Sequence, residues 1–204
     1  MIKTVIFDLG KVLVDFDFKI AVGRLGDFGL VNPIKVYNLF RNSDLAEKWD
    51  KGFMPPEEFY ETIRSELDLK LTMREFIPIW NEIFAENAKM IALARGLAKD
   101  KKVFLLSNTN PWHADYIRKH FRWVHELHGF IASCDVQMMK PDAKIYRHAL
   151  GKAKAKPQET FYIDDLEENV EAALSLGIAA HRFESYERLL REMKKLKIDL
   201  PTPL

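Results

Sequence analysis

Three places in this chain bring oxygen-rich side chains to the end of an apolar run. Asp8 follows Ile2 to Phe7, Ser107-Asn108-Thr109-Asn110 follows Lys102 to Leu106, and Asp164-Asp165 follows Thr160 to Ile163. Turn and cap preferences account for any one of these clusters, because Asp, Ser and Asn hydrogen-bond local backbone where strands end and helices begin. Taken jointly they pose an electrostatic problem. Asp8, Asp164 and Asp165 in one crevice would raise one another's pKa and cost stability unless a cation compensates. A hard divalent cation with oxygen ligands, Mg²⁺ above all, resolves the conflict. Lys140, in Met138-Met139-Lys140-Pro141, adds a fixed positive charge able to hold a carboxylate and a phosphoryl oxygen together, although alone it would read as a solvated surface lysine. The Ser107 hydroxyl and nearby backbone N–H groups would complete a nest for phosphoryl oxygens.

These groups meet only if the runs that carry them lie side by side. Ile2 to Phe7 is β-branched and aromatic without polar alternation, the pattern of a strand buried on both faces of a parallel sheet. The other two runs share it, and each leads into a helical pattern: Pro111 to His120 after the second, and Glu167 to Leu176, stopped by Gly177, after the third. A further short strand, Ile178 to Phe183, precedes a charged helix from Ser185 to Lys197. Alternating strands and helices predict an α/β fold with a doubly wound parallel-sheet, Rossmann-like core, in which ligands bind beyond the carboxyl ends of the strands.

Residues 17–87 differ. Phe59, Ile63 and Leu67, then Phe76, Trp80 and Phe84, recur at helical spacing between the breakers Pro33, Pro55, Pro56 and Pro78. This predicts an all-helical insertion directly after the first strand, with residues 1–16 and 88–204 forming the core. Pro201-Thr202-Pro203-Leu204 is expected to fray.

Composition narrows the partners. In 204 residues, 48% hydrophobic and 30% charged side chains suit a globular chain with a substantial core. Lys and Arg number 31 against 30 Asp and Glu, so overall charge favours neither nucleic acid nor an anionic membrane. The single cysteine, Cys134, excludes an intrachain disulfide and a thiolate zinc cluster, and His120, His125, His128, His148 and His181 lack metal-ligand spacing. The apolar run before Asp8 is too short for a signal-peptide core or a membrane span, and a cytoplasmic setting is expected.

Four ordered segments resemble the haloacid dehalogenase-like hydrolase superfamily, and within it the capped small-molecule phosphatases. They are Val5-Ile6-Phe7-Asp8-Leu9-Gly10-Lys11-Val12-Leu13, Leu105-Leu106-Ser107-Asn108-Thr109-Asn110, Lys140-Pro141, and Phe161-Tyr162-Ile163-Asp164-Asp165 with Asn169 and Gly177. The resemblance implies that the insertion is a cap, that the substrate is a small phosphorylated metabolite, and that Asp8 attacks phosphorus to give an aspartyl-phosphate. It implies Mg²⁺ held by Asp8, the Gly10 carbonyl and the acidic pair. Aligning Ala172-Ala173 and Gly177 makes Asp165 the direct ligand, with Asp164 beside it and Asn169 supporting the metal indirectly. Ser107 and Asn108 would grip the transferring group and Lys140 neutralise its charge.

One position departs from the pattern. The family's second aspartate, two residues after the nucleophile, serves as acid and base; here it is Gly10. Asp15, Asp17, His113 or the substrate could substitute, and a leaving group of low pKa, as in a sugar 1-phosphate, would need less protonation. Trp112 and His113 could shape the pocket floor or simply pack; Trp49 and Asp50 could face the site from the cap. A dehalogenase, in which Asp8 attacks carbon without metal, and a catalytically weak binding protein are the competing readings. Two extra carboxylates around an anionic substrate disfavour the first, and an intact nucleophile, lysine and acidic pair disfavour the second.

Overall fold

The computed structural model describes residues 1–28, 32–41 and 44–201. The chain runs through β1 (Thr4–Phe7), β2 (Val14–Phe16), α1 (Phe18–Leu25), α2 (Pro33–Arg41), α3 (Leu45–Asp50), α4 (Pro56–Leu67), α5 (Met73–Asn81) and β3 (Phe84–Glu86). Helices and strands then alternate: α6 (Ala88–Leu97), β4 (Lys102–Ser107), α7 (Pro111–His120), β5 (Gly129–Ala132), α8 (Ser133–Val136), α9 (Ala143–Ala153), β6 (Thr160–Asp164), α10 (Glu167–Ser175), β7 (Ala179–Arg182) and α11 (Tyr186–Lys195).

Five strands form one parallel sheet in the order β5-β4-β1-β6-β7. β1 is central and wholly buried, as its unbroken apolar run requires. Its alternation feeds two separate cores. Val5 and Phe7 join Val103, Leu105, Phe161 and Ile163 under α6 and α11, whereas Ile6 joins Leu106 and Tyr162 against Ile145, Tyr146 and Ala149 of α9. The chain passes from β1 to one side of the sheet and later to the other, so the carboxyl end of β1 is the switch point where a crevice opens. Register sets the chemistry there: Phe7 pairs with Ile163 and with Leu105, which puts Asp8 level with Asp164 and beside the end of β4.

The described residues of the insertion form helices between its ends, but its stem is not helical. Val14–Phe16 and Phe84–Glu86 pair antiparallel, a two-stranded ribbon that the sequence reading of an all-helical segment missed. Phe84 continues the Phe76 and Trp80 spacing, yet helix α5 stops at Asn81 and Phe84 stacks edge-on with Phe16 across the ribbon. The insertion has its own aromatic core, with Trp49 stacked on Phe59 and Phe76 on Trp80, and Trp112 of α7 enters it from the sheet domain. The sequence reading also missed β5. At the other end, Pro201 is seated against Gly96, where a Cβ would come within 2.4 Å of its ring; Thr202 to Leu204 of the expected frayed tail lie outside the described residues. No helix among the described residues is long and apolar enough to cross a membrane.

Candidate active site

The strand ends converge as their register demands. Lys140 Nζ donates to Asp8 Oδ1 and to Asp164 Oδ2, each at 2.7 Å, with its side chain only 2% exposed. Burial alone would strip the proton from this ammonium, but the attraction of Asp8 and Asp164 outweighs it and holds the pKa above the ordinary lysine value. Lys140 is fixed through its backbone: Asn108 accepts from its N–H and donates to its carbonyl, both at 2.9 Å. The Asn108 amide is thereby committed to positioning Lys140, while Ser107 is buried beside it and lines the adjoining cavity.

The acidic pair divides into unlike members. Asp164 is fully buried and accepts four hydrogen bonds. Lys140 and the Tyr162 hydroxyl serve Oδ2; the Leu166 N–H at 2.9 Å and Asn169 Nδ2 at 3.0 Å serve Oδ1. Desolvation pushes its pKa up, but Lys140 and these donors more than offset it, so it stays ionised. Asp165 is half-buried; its carboxylate takes a hydrogen bond from its own backbone, and its backbone carbonyl accepts from Arg182 Nε at 3.2 Å. Its pKa is raised, first by desolvation and then by the charge of Asp164. Asp8 is likewise pushed up by burial and by Asp164, against the pull of Lys140. Carboxylate oxygens of Asp8, Asp164 and Asp165 lie within 4.8 Å of one another, the one such acidic, His or Cys cluster among the described residues. Three carboxylates against one ammonium leave a negative excess suited to a hard cation. Asn169 sits behind Asp164, with its own carbonyl accepting from Tyr146 Oη at 2.9 Å.

The tyrosines were missed as site residues. Tyr162 and Asp164 are two apart on one strand and so share a face, and a phenol set between Phe161 and Ile163 two residues before an aspartate was the signal available.

Gly10 has no room for a side chain. A Cβ there would come within 2.8 Å of the Phe16 ring, so an aromatic group from the ribbon fills the space. The proposed substitutes do not converge on the site. Asp15 is exposed and paired with Lys11 at 3.6 Å, and Asp17 is exposed and caps α1 by accepting from the Lys19 N–H at 2.9 Å. His113 lines the cavity, but its ring nitrogens meet the Trp80 carbonyl and the Asn110 amide, and burial drives its pKa down to about 4. It is a neutral wall group. Trp112 and Trp49 belong to the insertion's core and do not face the carboxylates.

Asp50, at the end of α3, does reach the site. It lines a cavity of about 180 Å³ together with Gly10, Phe18, Ser107 and Asn110. It also borders a second cavity, of about 690 Å³, with Lys51 and Lys140. A third, of about 490 Å³, lies on the insertion around Tyr60 and Leu71, away from the acidic cluster.

Known proteins similar in sequence or in structure supply context for this geometry. The chain is 26% identical to D-ribitol-5-phosphate phosphatase of Bacteroides thetaiotaomicron, over 92% of each protein. It is 25% identical to sesquiterpene phosphatase astK of Aspergillus oryzae, over 95% of this chain and 96% of that one. A crystal structure of a HAD family enzyme from B. thetaiotaomicron, in complex with magnesium and inorganic phosphate, superposes with a TM-score of 0.82 at 26% identity, covering 94% of this chain and 100% of that one. The model of the haloacid dehalogenase-like hydrolases matches residues 2–177, and the protein belongs to that family.

Proposed function

We propose that this protein is a Mg²⁺-dependent phosphatase that removes phosphate from a small phosphorylated metabolite of the sugar phosphate kind through an aspartyl-phosphate intermediate. One observation carries the reading: Lys140 joins Asp8 to a saturated Asp164, while the carboxylate of Asp165, held by its own backbone, lies within 4.8 Å beside them. A dehalogenase acting on carbon has no use for that surplus of negative charge around an anionic substrate.

Asp8, Asp165 and the Gly10 carbonyl would hold the ion, with Asp164 and Asn169 keeping the acidic wall in place. When bound, Mg²⁺ would offset the charge of the carboxylates and of the phosphoryl group. The chain's own groups do the rest. Asp8, at the end of a rigid central strand, attacks phosphorus in line. Lys140 stabilises the charge gathering on the phosphoryl oxygens and holds the nucleophile at a fixed angle, and Ser107 donates to the group in transit. Asn108 keeps Lys140 where both contacts are possible. The support from similar proteins is of one kind: relatives named as phosphatases for a polyol phosphate and a sesquiterpene phosphate, and a structural neighbour binding magnesium and phosphate.

Hydrolysis of p-nitrophenyl phosphate tests the reading. Wild-type protein is expected to release phosphate with Mg²⁺ and to stop when EDTA is added, and Asp8→Asn to lose at least about 10³-fold in kcat while keeping its thermal transition. Release of halide from a 2-haloacid in the presence of EDTA, with no phosphatase activity, would overturn it.

A further inference from the structure

The reaction needs a proton delivered to the leaving oxygen, and the neighbourhood of Asp8 does not supply it. Gly10 is walled off by Phe16, Asp15 and Asp17 are exposed and committed elsewhere, and His113 is locked between Trp80 and Asn110. The insertion offers two acids near the strand ends, Glu47 and Asp50, and of these Asp50 alone lines the cavity beside Gly10 and Ser107. Asp50 lies across the 180 Å³ cavity from the strand ends, on the wall that completes the space beside Gly10 and Ser107.

Its placement is built rather than incidental. Its backbone carbonyl accepts from Ser133 Oγ at 2.5 Å, and the same hydroxyl lies 2.8 Å from the Thr109 N–H and 2.9 Å from the Thr109 carbonyl. One buried serine thus ties the end of α3 to the loop after β4. Two residues on, Gly52 has φ +68°, and a Cβ there would strike the Cys134 carbonyl at 2.4 Å, so the chain presses directly onto the sheet domain. The Asn110 side chain, the cap of α7, stands beside the carboxyl and favours its charged form. Ser133 and Gly52 therefore fix Asp50 over the cavity. Desolvation lifts its pKa to about 6, against the pull of Asn110, which leaves it able to hold a proton near neutrality and to give it up.

We infer that Asp50, supplied by the insertion, is the general acid and base of this enzyme and stands in for the side chain that Gly10 lacks. The inference rests on the phosphatase reading above. In the first half-reaction an Asp8 oxygen forms a bond to phosphorus as the ester P–O bond breaks, and the departing oxygen takes the Asp50 proton. In the second, water bonds to phosphorus and the Asp8–phosphorus bond breaks; the Asp50 carboxylate takes the water's proton and is restored. One ester and one water become one alcohol and one phosphate. A substrate with a poor leaving group then poses no difficulty, and an anomeric phosphate is not required.

The test is a leaving-group series. kcat/KM is measured for wild type, Asp50→Asn and Asp50→Glu on phenyl phosphates ranging from p-nitrophenyl to unsubstituted phenyl, which differ little in size but greatly in leaving-group acidity. Wild type is expected to show a shallow dependence. Asp50→Asn should lose about tenfold or less on the nitrophenyl ester and 10²-fold or more on the phenyl ester, within the range for general acid catalysis. Asp50→Glu should recover the shallow slope at a lower rate. An equal loss across the series would reduce Asp50 to a binding or packing residue and overturn the inference, as would no loss at all. If wild type hydrolyses none of the esters, the phosphatase reading falls instead.

Discussion

The same carboxyl group is held in opposite ways on the two sides of the cavity. On the sheet side, Asp164 has an ammonium, a phenol, an amide and a backbone N–H around it, and remains charged although no water reaches it. On the insertion side, Asp50 has one amide and an otherwise desolvating wall, and its pKa rises to about 6. Asp164 is fully buried and Asp50 partly so, yet it is the less buried group whose pKa rises: the charged and hydrogen-bonding partners, not burial alone, decide which form survives. The contrast belongs to Asp164 alone on the sheet side, since Asp8 and Asp165 are pushed up as Asp50 is; on the reading proposed above, Asp164 keeps its charge and Asp50 exchanges a proton.

Removing the ammonium should break the comparison most severely. Lys140→Met leaves Asp8 and Asp164 buried without their shared partner, and deleting one member of a buried ion pair costs about 3–5 kcal/mol. Urea denaturation in EDTA should show that loss, together with abolished turnover. Added Mg²⁺ should restore part of the stability, because the negative excess is what binds the ion. A stability equal to wild type would mean that the charges are hydrated rather than paired.

Asp50→Asn should have the opposite sign. A folded pKa of about 6 lies above the ordinary value of 3.8, so folding disfavours the ionised form. That cost is fully present above pH 6 and vanishes as the pH falls through 6 towards 3.8. The variant should therefore be more stable than wild type at pH 7.5 by about 2–3 kcal/mol at most, with the gain shrinking towards zero near pH 4. The charged groups on the open side, Glu47, Lys51, Lys140, Asp142 and Lys144, and the neutral His113 on the closed side, are the same in both proteins and cancel in the difference. Paired denaturation curves at the two pH values check the sign. A destabilised variant at pH 7.5 would mean that the carboxylate is well solvated in the folded state.

The two sides also differed in how legible they were. Asp8, Ser107, Lys140 and Asp164-Asp165 were readable because each follows an apolar run or joins one by charge, and a parallel sheet must bring such strand ends together. Strand β5 was not readable: Gly129-Phe130-Ile131-Ala132 opens on glycine, closes on alanine and has a single β-branched residue, and no polar cluster of the site follows it. The ribbon strands have three residues each, and Phe84 mimics a helical position. Asp50 was singled out only as a residue that could face the site, because Glu47-Lys48-Trp49-Asp50-Lys51 carries the charge pattern of a solvated helix face. What desolvates it, Ser133 and the loop after β4, is more than fifty residues away in sequence, and no local pattern encodes that contact.

The finest test concerns the hydroxyl of Tyr162. Burial and the neighbouring Asp164 and Asp8 keep this phenol protonated, so it can only donate to Asp164. Tyr162→Phe removes one of four donors and leaves the ring in its edge-on contact with Tyr146, 5.4 Å between centroids. If the donors act independently, the cost is that of one hydrogen bond, about 1 kcal/mol. If they act as a set that keeps Asp164 ionised and Lys140 aimed at Asp8, activity should fall by several-fold, and a double variant with Asn169→Ala should lose less than the sum of the single losses. A double-variant cycle on both stability and kcat distinguishes the two. Strict additivity would mean that the sheet side keeps its charge through Lys140 alone, and the contrast with Asp50 would then rest on a single ion pair rather than on the number of donors.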